Sequence, residues 1–203
     1  MPKPTWSTII GLAKEVTPGT PVAPVEFIPL TKADFKDDLK YLEDTGWRGA
    51  PVDVYNYVPG VGTSDIGLDG NLHADSMGYI FAGLMGEVAT TGSTAPYTHK
   101  ITVNNAAQPK TYTLTDYGQG SIRQYPGCVF SETSIKIQPD ALITHSTKAT
   151  GLLSSTTTKP TPSYTQVGPV AGWSVTAKIN GTAMTTMLDA QVDVKRAIDP
   201  VLS

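Results

Sequence analysis

A single cysteine, Cys128, stands in this 203-residue chain, which excludes an intrachain disulfide and any metal site built from several thiolates. A lone thiol of this kind reads as a small buried apolar residue rather than a reactive group. No run of about 18 apolar residues occurs and no apolar core follows a basic start. Neither a membrane-spanning helix nor a signal peptide is therefore expected, and synthesis in a cytoplasm is. Charged residues make up only 16% of the chain, the net charge is -3, and no stripe of Lys and Arg marks a grip on nucleic acid. The three histidines, His73, His99 and His145, fall on separate elements. H-E-x-x-H, G-x-S-x-G and phosphate-loop patterns are missing. Gly60, Gly62 and Gly67 fail the dinucleotide spacing. Asp65 to Ser76 is no calcium loop, because Gly67 and Ser76 sit where ligands are required. Carboxylates could pair in space as a glycosidase needs, but sequence spacing cannot place them. Catalysis is not expected, nor is a cofactor or bound metal.

What the chain does have is 28 Thr, 19 Gly and 16 Pro, a composition suited to many short strands and tight turns. A mostly β protein follows, of one domain's length and able to bury a sizeable core. One helix stands out at residues 75–86: Asp75 can cap it, Met77, Ile80, Phe81, Leu84 and Met85 recur on one face, and Gly86 stops it. A lone helix in such a chain flanks or plugs a sheet body rather than forming a layer. Acidity is local, with nine Asp or Glu against three Lys or Arg between residues 34 and 75.

Residues 1–24 hold five prolines and read as an extended arm ahead of a β domain at 25–203. The apolar Trp6, Ile9, Ile10 and Leu12 must lie on something, either a neighbouring subunit or the arm's own body. Short strands are expected at Val25–Leu30 and Asp38–Glu43. From Asp44 to Gly62 runs a long loop carrying Trp47, Tyr55 and Tyr57, with Arg48 among them. Loops this long in compact domains are usually functional, and aromatics on them anchor interfaces. Thr63–Gly70 alternates Ile66 and Leu68 with Asp65 and Asp69, a half-buried strand expected to return antiparallel to the second.

Further on, Tyr97–Val103 and Thr111–Tyr117 are expected to pair as a hairpin, and Cys128–Gln138 with Ala141–Gly151 as another about Pro139-Asp140. In the first strand of the second pair, Val129, Ser131, Thr133, Ile135 and Ile137 would share a face. Residues 154–166 form a polar loop. Asn180-Gly181, between the alternating runs Trp173–Ile179 and Leu188–Lys195, is the strongest hairpin signal in the chain.

Four stretches in order carry a resemblance: Gly11–Pro24 leading into Phe27-Ile28-Pro29, then Trp47-Arg48-Gly49, Asp69-Gly70-Asn71, and the helix Asp75–Val88. They are similar to the major tail tube proteins of long-tailed, siphovirus-type bacteriophages. The likeness is close up to Val88 and thereafter a matter of strand pattern. It implies a β-sandwich or barrel with a flanking helix, hexameric rings stacked into a hollow tube for genome delivery, and residence in the virion. Its partners would be copies of itself, a tape measure protein, tail terminator and tip proteins, and DNA only in transit. Relatives often carry a further C-terminal segment or domain; ending at Ser203, this chain is expected to build an undecorated tube. On this reading Trp6, Ile9, Ile10, Trp47, Arg48, Tyr55 and Tyr57 contact other subunits or rings. The carboxylates of Asp65, Asp69, Asp189 and Asp193 face a polar, on balance negative lumen, opposite the apolar residues of their strands. A capsid decoration or head-tail connector protein, a sugar-binding β-sandwich using Trp47, Tyr55 and Tyr57, and, least favoured, a hydrolase are the other readings.

Overall fold

The computed structural model describes residues 8–93, 97–104, 108–118, 121–164, 167–184 and 189–198. Along the chain come β1 (Ile10–Lys14), β2 (Glu26–Ile28), β3 (Lys32–Asp38), β4 (Tyr41–Asp44), β5 (Asn56–Pro59) and β6 (Thr63–Asn71). The helix α1 (Met77–Met85) is followed by β7 (Gly86–Thr91), β8 (Thr98–Val103), β9 (Tyr112–Gly118), β10 (Ser121–Ile137), β11 (Thr144–Leu152) and β12 (Ser155–Thr156). After a 3-10 turn at Gly172–Ser174 come β13 (Lys178–Ile179), β14 (Thr182–Ala183) and β15 (Ala190–Lys195). The described residues are mostly β with one α-helix, and their main sheet curls into a half-barrel.

That sheet runs β2-β1-β9-β10-β11-β6-β3, with β12 and β15 also paired to β10. β10 is its spine because it bends. Its first half pairs with β9, and a register shift between Tyr125 and Cys128, where Gly127 adopts φ 66°, turns the second half toward β11 and β15. Such a bulge kinks a strand and lets one segment serve two parts of a sheet. Glu15 pins the bend from beneath: its buried carboxylate accepts hydrogen bonds from the N–H of Gly127 at 2.8 Å, the N–H of Gly19 at 2.8 Å and the hydroxyl of Thr113 at 2.8 Å.

The concave face is filled by α1 and the apolar half of each strand. Met77, Ile80 and Leu84 are buried against a core that includes Leu68, Tyr112, Leu114 and Phe130. Gly83 lets the helix approach so closely that a Cβ there would lie 2.5 Å from the Phe130 ring and 2.9 Å from that of Tyr112. Gly86 ends the helix at φ 94°, as expected, but Asp75 is not the cap. Ser76 takes that position, and Asp75 instead accepts a bond from the Ser76 N–H at 2.9 Å.

Several expected pairings are replaced. β3 begins well before the strand expected at Asp38–Glu43; the links Leu39 and Lys40 separate it from β4, and it is β3 that β6 pairs with. β8 joins β7 rather than β9, because β9 is taken up between β1 and β10. The Asn180-Gly181 turn forms, with φ 50° and 82°, yet joins only β13 to β14; Trp173 lies in the 3-10 turn and β15 pairs with β10. Residues 154–166 are not wholly loop: β12 pairs with Arg123 and Gln124, and Tyr164 meets Phe27 edge-on at 6.2 Å. In β10 a register shift between Phe130 and Glu132 breaks the expected face, so Cys128 and Phe130 point inward with Thr133 and Ile135 while Val129 and Ser131 do not.

From residue 8 on, the proline-rich stretch packs on its own body. Ile10 and Leu12 are buried core residues of β1, Val25 donates to the Leu12 carbonyl at 3.0 Å, and Val22 donates to the Thr113 hydroxyl at 3.1 Å. A Cβ on Gly11 would meet Pro24 at 2.7 Å, so the returning segment lies flat on β1. Covered from both sides, β9 buries even Thr113 and Thr115.

Candidate functional site

Alternation in β6 sends Ile66 and Leu68 into the core and leaves Asp65, Gly67 and Asp69 on the other face. Register carries that division across five strands. One rung runs Lys32, Asp69, Ser146, Ser134, Asp193 through β3, β6, β11, β10 and β15. The next runs Asp34, Gly67, Lys148, Glu132, Lys195. Beyond them lie Lys36 beside Asp65 on one side and Lys136 beside Gln191 on the other. The face is polar along these rungs and turns apolar only at one end, where Val129 lies beside Thr150 and Leu152 beside Thr63.

Its charges interleave. Glu132 is bonded by Lys195 at 2.9 Å and Lys148 at 3.2 Å, and these lysines hold its carboxyl below the usual range. Bonds from Ser134 and Gln191 lower Asp193 likewise. By strand parity the face carries Asp34, Asp38, Asp65, Asp69, Glu132 and Asp193 against Lys32, Lys36, Lys136, Lys148 and Lys195, six acids to five bases. Asp65, Asp69 and Asp193 thus share one face, while Asp189 is exposed just ahead of β15, beyond the last ladder pair at Ala190. As a group the five lysines are not evident from the sequence. Alternation of Ala33 and Phe35 with Lys32, Asp34 and Lys36 was the available signal in β3, and it was masked by the charge density of KADFKDD.

The sheet that bears this face ends in β3 and β15, and among the described residues no strand pairs with the outer edge of either. Ladder donors and acceptors on such edges are templates for another strand.

A second surface projects away from the sheet. The expected long loop is in large part a ribbon, β4 paired with β5 from Tyr41–Pro59 to Asp44–Asn56, tied at its base by Gly60 N–H to the Lys40 carbonyl at 2.7 Å. At its tip Arg48 forms an ion pair with Asp44 and lies 4.7 Å over the Tyr55 ring, whose hydroxyl donates to the Ala50 carbonyl at 3.2 Å. Arg48 and Tyr55 are therefore occupied in shaping the tip. Trp47 is fully exposed at the tip, and along the ribbon Leu42 and Val58 are exposed on one face and Tyr57 on the other. Large apolar groups left exposed on both faces of a ribbon are the kind of surface that contacts use.

Of the other expected contact residues, Ile10 is buried in its own subunit, Ile9 is half-buried with its carbonyl bonded to the Tyr117 N–H at 2.9 Å, and Trp6 lies outside the described residues. His73 and His145 are close enough to interact electrostatically, yet each ring has its own partner: His73 bonds the Val167 carbonyl, His145 the Thr147 hydroxyl and His99 the Thr90 hydroxyl. Among the described residues no group of three His, Cys, Asp or Glu could hold a metal ion. No described helix is long and apolar enough to cross a membrane.

A family model described as phage tail tube protein matches residues 5–203. No curated protein matches the chain.

Proposed function

The chain belongs to the phage tail tube protein family, structural proteins of the virion tail, and on that premise we propose that its copies join edge to edge into hexameric rings. The rings stack into a hollow, siphovirus-type tube that carries the genome into the host, with tape measure, terminator and tip proteins as partners. The five-stranded sheet with one polar face and two unpaired edges carries this reading. Joining β15 of one copy to β3 of the next removes every such edge, and the apolar face stays under α1.

The dimensions agree with a conduit. Six copies present about thirty strands, which at about 4.8 Å per strand give a circumference of about 140 Å and a backbone diameter of about 46 Å. Side chains reduce that opening but leave room for a nucleic-acid duplex. Asp65, Asp69 and Asp193 would face the lumen among five lysines, with Asp189 near its rim. With six acids against five bases, the described face makes a lumen only slightly negative. A protein that grips DNA gathers Lys and Arg to displace counterions. A wall of alternating, internally paired charges offers phosphates little purchase and lets the duplex slide.

The β4–β5 ribbon contacts the adjacent ring, with Trp47 and Tyr57 as anchors and Arg48 and Tyr55 holding the tip in shape. Electron microscopy of the purified protein tests both parts of the reading. Wild-type protein should form tubes of stacked rings, and protein with residues 45–55 replaced by a short Gly-Ser turn should stay folded and fail to stack. A wild-type protein that remains monomeric at high concentration refutes the ring; tubes from the shortened ribbon refute its role.

A further inference from the structure

Four antiparallel steps separate β3 from β15, through β6, β11 and β10, so the two edge strands point the same way. All copies in a ring share one orientation. The seam between copies must then be a parallel pair, although every strand pair inside this sheet is antiparallel. A parallel ladder alone leaves the stagger open, since it bonds equally well after a slip of two residues. The charges on the polar face remove that freedom. Along β3 the sign alternates at every second residue, Lys32, Asp34, Lys36, Asp38, and along β15 Asp193 is followed by Lys195.

We propose that β15 of one copy pairs in parallel with β3 of the next in the register that sets Asp193 opposite Lys36 and Lys195 opposite Asp38. Slipping by two residues sets Asp193 against Asp34 and Lys195 against Lys36, two like-charge contacts, and like charges directly opposite are destabilising. Slipping by one turns the polar face into the core. The remaining charge-matched choice is no stagger, with Asp193 beside Lys32, since both lie on one rung. That choice would leave the strands upright. Closing a sheet requires tilt and stagger. Four residues at about 3.3 Å over five strands at about 4.8 Å incline the strands by about 29°. Within the seam Lys195 would lie between Glu132 of its own copy, 2.9 Å away, and the incoming Asp38.

The proposal presupposes the ring reading above, and disulfide trapping separates the two. Two cysteines placed at positions 36 and 193 of one copy sit at opposite edges of the five-stranded sheet, about 19 Å apart at about 4.8 Å per strand, beyond the reach of a disulfide. Any bond between them therefore joins copies. Tubes of Asp193→Cys/Lys36→Cys, oxidised and run without reductant, should convert monomer into a ladder of multimers ending at the full ring. A second pair, Lys195→Cys/Asp38→Cys, should do the same and guards against one variant failing to assemble. Asp193→Cys/Lys32→Cys and Asp193→Cys/Asp34→Cys should remain largely monomeric on the gel. Failure of the wild type to form rings removes the premise and with it the seam. Rings that form while Asp193→Cys links to position 32 or 34 in preference to 36, or to none of them, overturn the register alone.

Discussion

Removing the Glu15 carboxylate should loosen the bend in β10 on which the polar face is hung. Three donors converge on it, the N–H groups of Gly19 and Gly127 and the Thr113 hydroxyl, each at 2.8 Å. A hydrogen bond to a charged group contributes about 1.5–3 kcal/mol net, and a buried donor left without a partner costs about 1–3 kcal/mol. The three bonds share one carboxylate and are not additive, so Glu15→Ala is expected to cost about 4 kcal/mol rather than the full sum. For a chain of this size each kcal/mol moves the melting temperature by about 2–4 °C, so the midpoint should fall by roughly 10 °C. Glu15→Gln keeps one oxygen, able to accept from Thr113 and Gly127, but turns an amide NH2 toward the Gly19 N–H; about 2 kcal/mol and about 5 °C are expected. Unfolding is followed by circular dichroism on unassembled subunits at low concentration, so that contacts between copies do not contribute. Hydrogen exchange should quicken first at Gly19 and Gly127. An alanine variant melting within a degree or two of wild type, or a glutamine variant less stable than the alanine one, would refute the role assigned to Glu15.

Gly83→Ala should destabilise although alanine favours a helix by about 1 kcal/mol. Its Cβ would lie 2.5 Å from the Phe130 ring, and overpacking of about 1–3 kcal/mol exceeds the gain; a raised melting temperature would show that the rings move aside. Burial lowers the pKa of His145, with Asp69 opposing and His73 adding to the shift, so the folded state resists protonation. Its stabilising effect is complete above the unfolded value of about 6.5 and is lost as pH falls from there toward the lowered folded value, so the melting temperature should drop as pH falls below about 6.5. His145→Gln should flatten that drop, and an unchanged slope would count against the assignment. Burial pushes the Cys128 thiol well above its ordinary value, so a thiol reagent should label it only in denaturant; rapid labelling of folded protein would contradict its place in the core.

Features decided within a few neighbouring residues were legible without any structure. Period-two patterning in β6 settled which side chains face inward, because a strand exposes opposite faces at every step. Gly86 and Asn180-Gly181 marked a helix end and a turn, because each adopts positive φ that few residues tolerate. By the same patterning Asp65 and Asp69 in β6, and Asp193 in β15, are each set opposite the apolar residues of their own strand, whereas only pairing through β11 and β10 puts them on one face. Alternation does not name a neighbour. β8 and β9 follow one another and satisfy their own patterns, yet β9 lies between β1 and β10 while β8 folds onto β7. β15 passes over the strand expected beside it to reach β10. These choices, the bulge that turns Cys128 and Phe130 inward, and the lysines interleaved with the aspartates arise from contacts between residues far apart in sequence. The energy of such contacts depends on packing around α1 and on register across five strands, which no local pattern contains.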